Sequence, residues 1–308
     1  MNFQQLRIIR ETVRRNFNLT EVAAALYTSQ SGVSKHIKEL ESELGVELFY
    51  RKGKRLLGLT EPGKEMLRFV ERMLLDAGNI KNIAEHYAQQ DQGQLTVATT
   101  HTQARYRLPE VVIAFKKLYP RVHLKLHQGS PLEISRMLLE GDADIGVATE
   151  ALGKVPELAS FSYYTWHHNV IVPEGHPLTQ EKTLTLERVA EYPIVTYHEG
   201  FTGRAVIEES FKRANVTPDI VLSALDADVI KSYVRLGMGV GIVASMAVEP
   251  EGEKGLVALD GSALFAQNTT RLAVRKGNLL RRYAYHFMEL CIPELTEEKI
   301  LSSIDVEV

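Results

Sequence analysis

Gln30, Ser31, Ser34, Lys35 and Lys38 recur at helical spacing, end in hydrogen-bonding or cationic groups, and include no carboxylate. Val33, Ile37, Leu40 and Leu44 interleave with them at the same period and mark the face of that helix that packs inward. Glutamine can pair bidentately with adenine and lysine with guanine, while serine suits a base edge or a phosphate. The chemistry open to the stripe is base-pair recognition in a major groove, led by its N-terminal members; the plain alternative is a solvated helix face. A second set of hydroxyls stands where strands end. Thr99, Thr100 and Thr102 with Gln103 follow one strand, Thr149 closes "DIGVAT", and Thr202 in "HEGFTGR" precedes a helix. Neutral donors and helix-start amides arranged in a ring can hold a desolvated anion without a full counter-charge. Ordinary capping, threonine by threonine, accounts for the same residues equally well.

The first stripe needs a helix held by compact partners, and the preceding residues supply them. Phe3, Leu6, Ile9 and Val13 predict one amphipathic helix, and Thr20 stands where it can cap a short second one whose Val22, Ala23 and Leu26 face inward. A turn at Tyr27 and Thr28 leads to Ser29, the expected cap of the third helix. Two helices joined by so brief a turn make a helix-turn-helix. The segment "YRKGKRLLGLT" reads as a hairpin with Gly53 at its tip and Arg51, Lys52, Lys54 and Arg55 around it. Cations on such a wing suit phosphates or a minor groove; a solvated turn is the alternative. From Glu61 to Gln90, Leu67, Val70, Leu74, Ala77, Ile80, Ala84 and Tyr87 keep helical spacing. At roughly 1.5 Å per residue this helix is about 40 Å long and lacks a domain of its own to pack on, which predicts pairing with a second copy.

Charge divides the chain in the same place. Residues 1–60 hold ten Lys and Arg against six Asp and Glu, +4, so the rest carries −7 of a total of −3. A basic head on an acidic body predicts that the head meets an anion and the body does something else. Past "QQDQGQ", apolar strands such as "VHLKLHQ", "DIGVAT", "NVIVP" and "GVGIVA" alternate with helices such as "LEISRMLLEG" and "ADVIKSYVRLG", which predicts α/β architecture with mainly parallel sheets. Ligands of such folds sit beyond the carboxyl ends of strands.

At 308 residues, 44% apolar and 24% charged, the chain suits two or three globular units, with no apolar run long enough to cross a bilayer. "MNFQQLRIIRETVRRNF" lacks the pattern of a signal peptide, which predicts a cytoplasmic protein. The single cysteine, Cys291, leaves no internal disulfide or thiolate zinc cluster. "GMGVG" (237–241) follows a helix and opens a strand, the reverse of a dinucleotide fingerprint. His167 and His168 are adjacent and cannot both face one metal from a regular element, His123 with His127 shows no third ligand, and Asp142 with Asp144 and Asp226 with Asp228 read as capping and loop solvation, so neither a metal site nor a catalytic constellation is expected.

"LTEVAAALYTSQSGVSKHIKELESELGVELFYR" closely resembles the N-terminal signature of LysR-type transcriptional regulators, and the order of winged helix-turn-helix, linker helix and two-lobed body matches that family throughout. Ser31 and Gly32 stand where many members have Pro-Ala, which alters the first base contact while leaving the helix intact. "TTHTQARY", "QGSP", "TEAL" and "GFTGR" resemble the cysteine-regulon subgroup, CysB and Cbl. The resemblance implies a winged helix-turn-helix at 1–60, a dimerisation helix at 61–90, and a periplasmic-binding-protein-like effector domain at 91–308, with lobe I at about 91–164 and 268–308 and lobe II at about 165–267. It implies DNA binding by Gln30, Ser31, Ser34, Lys35, Lys38, Arg51, Lys52, Lys54 and Arg55, and effector binding by Thr100, Thr102, Gln103, Thr149, Trp166 and Thr202. The implied role is activation of sulfur-assimilation and cysteine-biosynthesis genes. Implied partners are double-stranded DNA, RNA polymerase and further copies in a homodimer or homotetramer. The implied effector is an acetylserine derivative, adenosine phosphosulfate, or a sulfate- or thiosulfate-type anion. The rival reading is a two-lobed small-anion solute-binding protein with no transcriptional role; an enzyme has the right fold but lacks the side chains for chemistry.

Overall fold

A computed structural model describes residues 1–53, 55–88, 91–201, 203–248 and 253–304. Contacts divide the chain after Glu85. The first unit opens with α1 (Phe3–Arg14), α2 (Leu19–Ala25) and α3 (Gln30–Leu44). α1 starts on a reciprocal capping box between Asn2 and Gln5. Asn18, not Thr20, caps α2, its Oδ1 accepting from the amides of Thr20 and Glu21. Asn is among the strongest capping residues, and here it lies one position before the helix, so Thr20 falls inside the first turn. Ser29 caps α3 as expected, accepting from the Gly32 amide at 3.1 Å, and Gly45, at φ 71°, ends that helix in the left-handed region. Val33, Ile37 and Leu40 of α3 pack with Ile8, Ile9, Val22, Leu48 and Phe49 in one core.

Two antiparallel strands, β1 (Phe49–Lys52) and β2 (Arg55–Leu59), form the wing, which turns at Gly53. Its root is set by Glu41, a buried carboxylate of α3. Glu41 accepts from the amides of Leu48 and Phe49 at 2.9 and 3.3 Å and from Arg51 Nη2 at 2.6 Å. The long helix α4 (Glu61–Tyr87) follows, with Phe69, Met73, Ile80, Ile83 and Tyr87 exposed along it.

The second unit contains β3 (Gly93–Thr99), α5 (His101–Tyr106), α6 (Leu108–Leu118), β4 (Val122–Gln128), α7 (Pro131–Glu140), β5 (Ile145–Thr149), β6 (Leu158–Trp166) and β7 (His168–Pro173). There follow α8 (Leu186–Ala190), β8 (Ile194–Tyr197), α9 (Arg204–Arg213), β9 (Ile220–Ala224), α10 (Ala227–Arg235), β10 (Val240–Ala244), β11 (Leu256–Leu259), β12 (Asn268–Arg275), α11 (Arg282–Cys291) and α12 (Glu297–Ser303). They form two five-stranded sheets, ordered β4-β3-β5-β12-β6 and β11-β7-β10-β8-β9, each with its own apolar core.

The sheets are mixed rather than mainly parallel. β12 runs antiparallel to both β5 and β6, and β7 to both β10 and β11. The chain leaves the first sheet along β6 and re-enters it along β12, so these strands must run in opposite senses. Their register sets Trp166 opposite Asn268, which puts the two crossings between sheets side by side. Each sheet with its helices is one lobe.

Candidate functional site

In the first unit, Gln30, Ser31, Lys35 and Lys38 are exposed on α3 and Ser34 is half-buried, so the stripe faces outward as its period predicts. Lys35 makes a 3.7 Å pair with Glu39 on the same face, and Ser31 Oγ lies 3.1 Å from Ser29 Oγ. Lys52 and Arg55 are exposed cations of the wing. Arg51 differs from them. It turns inward onto Glu41, where an ion pair through Nη2 ties the wing to α3. Lys54 lies outside the described residues.

In the second unit, the expected effector residues gather where strands of the first sheet end. Thr99 pairs with Val147 across β3 and β5, and the Thr100 amide donates to the Val147 carbonyl. Thr149 ends β5 opposite Thr270 of β12, which in turn faces Tyr164 of β6. Thr100, Thr102, Gln103, Thr149 and Trp166 are all buried. Thr202 lies outside the described residues, but Gly203 directly precedes α9 with φ 69°.

Capping does not account for these hydroxyls. Thr100 precedes α5 and Thr149 precedes a short 3₁₀ turn, yet neither side chain makes a capping hydrogen bond. Tyr164 donates its hydroxyl to Gln103 Oε1, which fixes the carboxamide. Burial holds the Tyr164 hydroxyl above its ordinary pKa, so it remains a donor. Among the described residues, Gln103 Nε2 is then a buried donor without a hydrogen-bond partner, and Asn268 Oδ1 is a buried acceptor without one. Buried polar atoms are rarely left in this state, because desolvation without a replacement bond costs about 1–3 kcal/mol each. Carboxamide N–H and hydroxyl groups at strand ends match the needs of an anion's oxygens.

Trp166 contributes differently from a ligand donor. Its Nε1 already donates to Thr270 Oγ1 at 3.0 Å, and its ring meets His168 edge-on at 5.0 Å, so it forms an apolar wall. Across the crossings, His168 and Asn268 are fully buried, with Asn268 Nδ2 3.5 Å from His168 Nδ1. A Cβ on Gly203 would fall 2.4 Å from Asn268 Oδ1, which is why glycine is required where α9 begins against the crossing.

Sequence reasoning used Tyr164 and Asn268 only as points of crossing, and it missed Thr270 and His168 as site groups. The contacts that give them roles span more than 60 residues of chain and leave no local pattern. Asp226 caps α10 as expected, accepting from the Val229 amide at 2.9 Å, whereas Asp228 is engaged by side chains of the other lobe. His101, Asp226 and Asp228 each bring one ligand atom within 4.8 Å of the others. Arg105 and Lys231 crowd the same carboxylate with positive charge and disfavour a cation there. Among the described residues, no helix is long and apolar enough to cross a membrane.

Known proteins share both units. The profile of the bacterial regulatory helix-turn-helix protein, lysR family, matches residues 3–64, and that of the LysR substrate binding domain matches residues 88–296. The chain is 58% identical over 300 residues to the HTH-type transcriptional regulator SsuR of Burkholderia cenocepacia, covering 97% of each chain. It is 53% identical over 300 residues to the HTH-type transcriptional regulator cbl of Escherichia coli, covering 97% of this chain and 95% of that one. The crystal structure of the cofactor-binding domain of the Cbl transcriptional regulator superposes with a TM-score of 0.67 at 48% identity, over 70% of this chain and 95% of that one.

Proposed function

The chain belongs to the LysR family of transcriptional regulators, and from that premise we propose that it activates genes of sulfur assimilation and cysteine biosynthesis in answer to a small sulfur-status metabolite. It is a DNA-binding regulator that takes a small-molecule effector, rather than an enzyme. The basic winged head also sets aside the solute-binding alternative, which has no use for it. The sulfur assignment rests on kinship with SsuR and Cbl, the latter a protein whose corresponding domain is described as cofactor-binding.

The exposed stripe of α3 would read base edges, with Gln30, Ser31, Ser34, Lys35 and Lys38 in the major groove and Lys52, Lys54 and Arg55 on phosphates. A homodimer or homotetramer would set two heads along a duplex and contact RNA polymerase in the cytoplasm. The effector would be an acetylserine derivative, adenosine phosphosulfate, or a sulfate- or thiosulfate-type anion, held by Thr100, Thr102, Gln103, Thr149 and Thr202 against the Trp166 wall. One observation carries this effector reading: Tyr164 pins Gln103 by its carbonyl and leaves its buried amide nitrogen with no partner among the described residues.

Calorimetric titration of the full chain with N-acetylserine, adenosine phosphosulfate and sulfate tests it. One of them should bind, and Thr100→Val and Gln103→Leu should each weaken it at least ten-fold, since each leaves an anion oxygen unpaired at roughly 1.5–3 kcal/mol, while affinity for operator DNA without effector stays the same. Undiminished binding in both variants would refute the site.

A further inference from the structure

A polar network outside the anion site joins the two lobes through the same short helix that supplies Thr102 and Gln103. From the first lobe, α5 sends His101, Arg105 and Tyr106 to Asp228 of α10. Tyr106 donates to Asp228 Oδ1 at 2.7 Å, Arg105 Nε lies 2.8 Å from Asp228 Oδ2, and His101 Nε2 lies 3.3 Å from the same oxygen. His101 Nδ1 is 3.1 Å from Gln128 Oε1.

Lys231, one turn further along α10 and only 6% exposed, completes the network. Its Nζ donates to Tyr106 Oη and to the Ala247 carbonyl, both at 2.9 Å, and to Glu253 Oε1 at 2.6 Å, with Asp228 Oδ1 at 3.4 Å. These bonds fall into two groups. Those from Lys231 to Glu253 and Ala247 stay within the second lobe and keep the buried ammonium satisfied whatever the first lobe does. Those that reach His101, Arg105 and Tyr106 cross between lobes, so a motion that separates α5 from α10 breaks them together.

We propose that the Asp228-centred contact between α5 and α10 is a latch that holds the lobes closed and so positions α5 for the effector. The affinity part of this proposal rests on the effector reading given above. A latch raises affinity by raising the fraction of molecules already in the binding-competent arrangement, since apparent affinity falls in proportion to that fraction. Burial opposes charge on Asp228, but hydrogen bonds from Tyr106 and His101 and the charges of Lys231 and Arg105 outweigh it and hold its carboxyl below the usual range, so it is an anion at neutral pH.

The test uses the full chain with nitroxide labels at Lys117→Cys on α6 and Lys212→Cys on α9, both exposed and on different lobes. Cys291 stays unlabelled, being buried with its thiol pushed up to about 12. Pulsed electron resonance without ligand should give one narrow distance in the parent, and a broader, longer distribution in Asp228→Asn and in Tyr106→Phe, with Asp228→Glu closer to the parent. N-acetylserine and sulfate titrations should show the probe that the parent binds weakened about ten-fold in Tyr106→Phe, which removes one hydroxyl and keeps the fold. Unchanged distances in both folded variants would overturn the latch, and shifted distances with unaltered affinity would overturn its role in binding. A parent that binds neither probe would sink the effector reading and the latch's role in affinity, while the ligand-free distances would still decide the latch itself.

Discussion

Asp144 and Asp228 are carboxyls of one unit that burial pushes in the same direction and that their partners leave shifted in opposite ones. Asp144 accepts from the Thr96 amide at 2.8 Å, but desolvation outweighs that bond and raises its pKa above the ordinary value. Asp228 is lowered by its partners. The linkage signs follow. A carboxyl raised in the fold binds its proton more tightly there than in the unfolded chain, so its contribution to stability is largest in acid and is lost as pH rises through the folded pKa. A lowered carboxyl stabilises above its unfolded pKa and loses that contribution as pH falls. Asp144→Asn keeps an acceptor for the Thr96 amide and removes the buried charge. It should raise the melting temperature at pH 7 by about 2 °C, a gain that shrinks as pH falls and the parent's own carboxyl takes up a proton. Calorimetric melts at pH 7 and pH 4 check this; a variant less stable at pH 7 than at pH 4, relative to the parent, would reverse the assignment.

In the recognition proposed above, the outer face of α3 and the wing divide the work. Gln30 is exposed at the start of α3, where a carboxamide can reach an adenine edge, so Gln30→Ala should relax base preference at particular pairs at a cost of roughly 1–3 kcal/mol. Lys52, exposed on the wing, should act on phosphate instead: Lys52→Ala weakens all duplexes alike and lowers the salt slope by about one unit. Binding isotherms on operator variants at several salt concentrations separate the two, and a uniform loss from Gln30→Ala would contradict the split. These elements were legible because their signals are local. A 3.6-residue period wrote α3, Ser29 wrote its cap, and β4 coincides with the run "VHLKLHQ". Other features were not. Asn18, itself a strong capper two residues earlier, took the cap expected of Thr20; Glu41 engages Arg51 of the wing; and β12, internal in its sheet, carries Asn, Thr and Arg in place of an apolar run, while β6 is a polar edge strand. For the effector residues, sequence pointed to the hydroxyls at strand ends, while the contact that aims Gln103 spans 61 positions and could not be read locally.

At the scale of the whole molecule, the long helix α4 leaves Phe69 68%, Ile80 68% and Tyr87 81% exposed, with Met73 and Ile83 also open, at spacings near the helical period. Scattered single apolar residues are normal on a surface, but a stripe that continues from Phe69 to Tyr87 on one helix marks a face made to be covered. A second copy of the same helix would meet that need with self-complementary chemistry, since an apolar stripe pairs with itself across a two-fold axis. Each isoleucine withdrawn from water is worth roughly 1.5–3 kcal/mol, and a symmetric pair counts every position twice. Ile80→Glu would place two carboxylates at such a seam. It should shift the full chain to a smaller species in sedimentation velocity, and should reduce affinity for a duplex with two half-sites towards that for one. Because the change lies outside α3 and the wing, affinity for a single half-site should stay within two-fold of the parent. An Ile80→Glu chain of parent size with undiminished two-site binding would show that α4 keeps its apolar stripe for something other than a second copy.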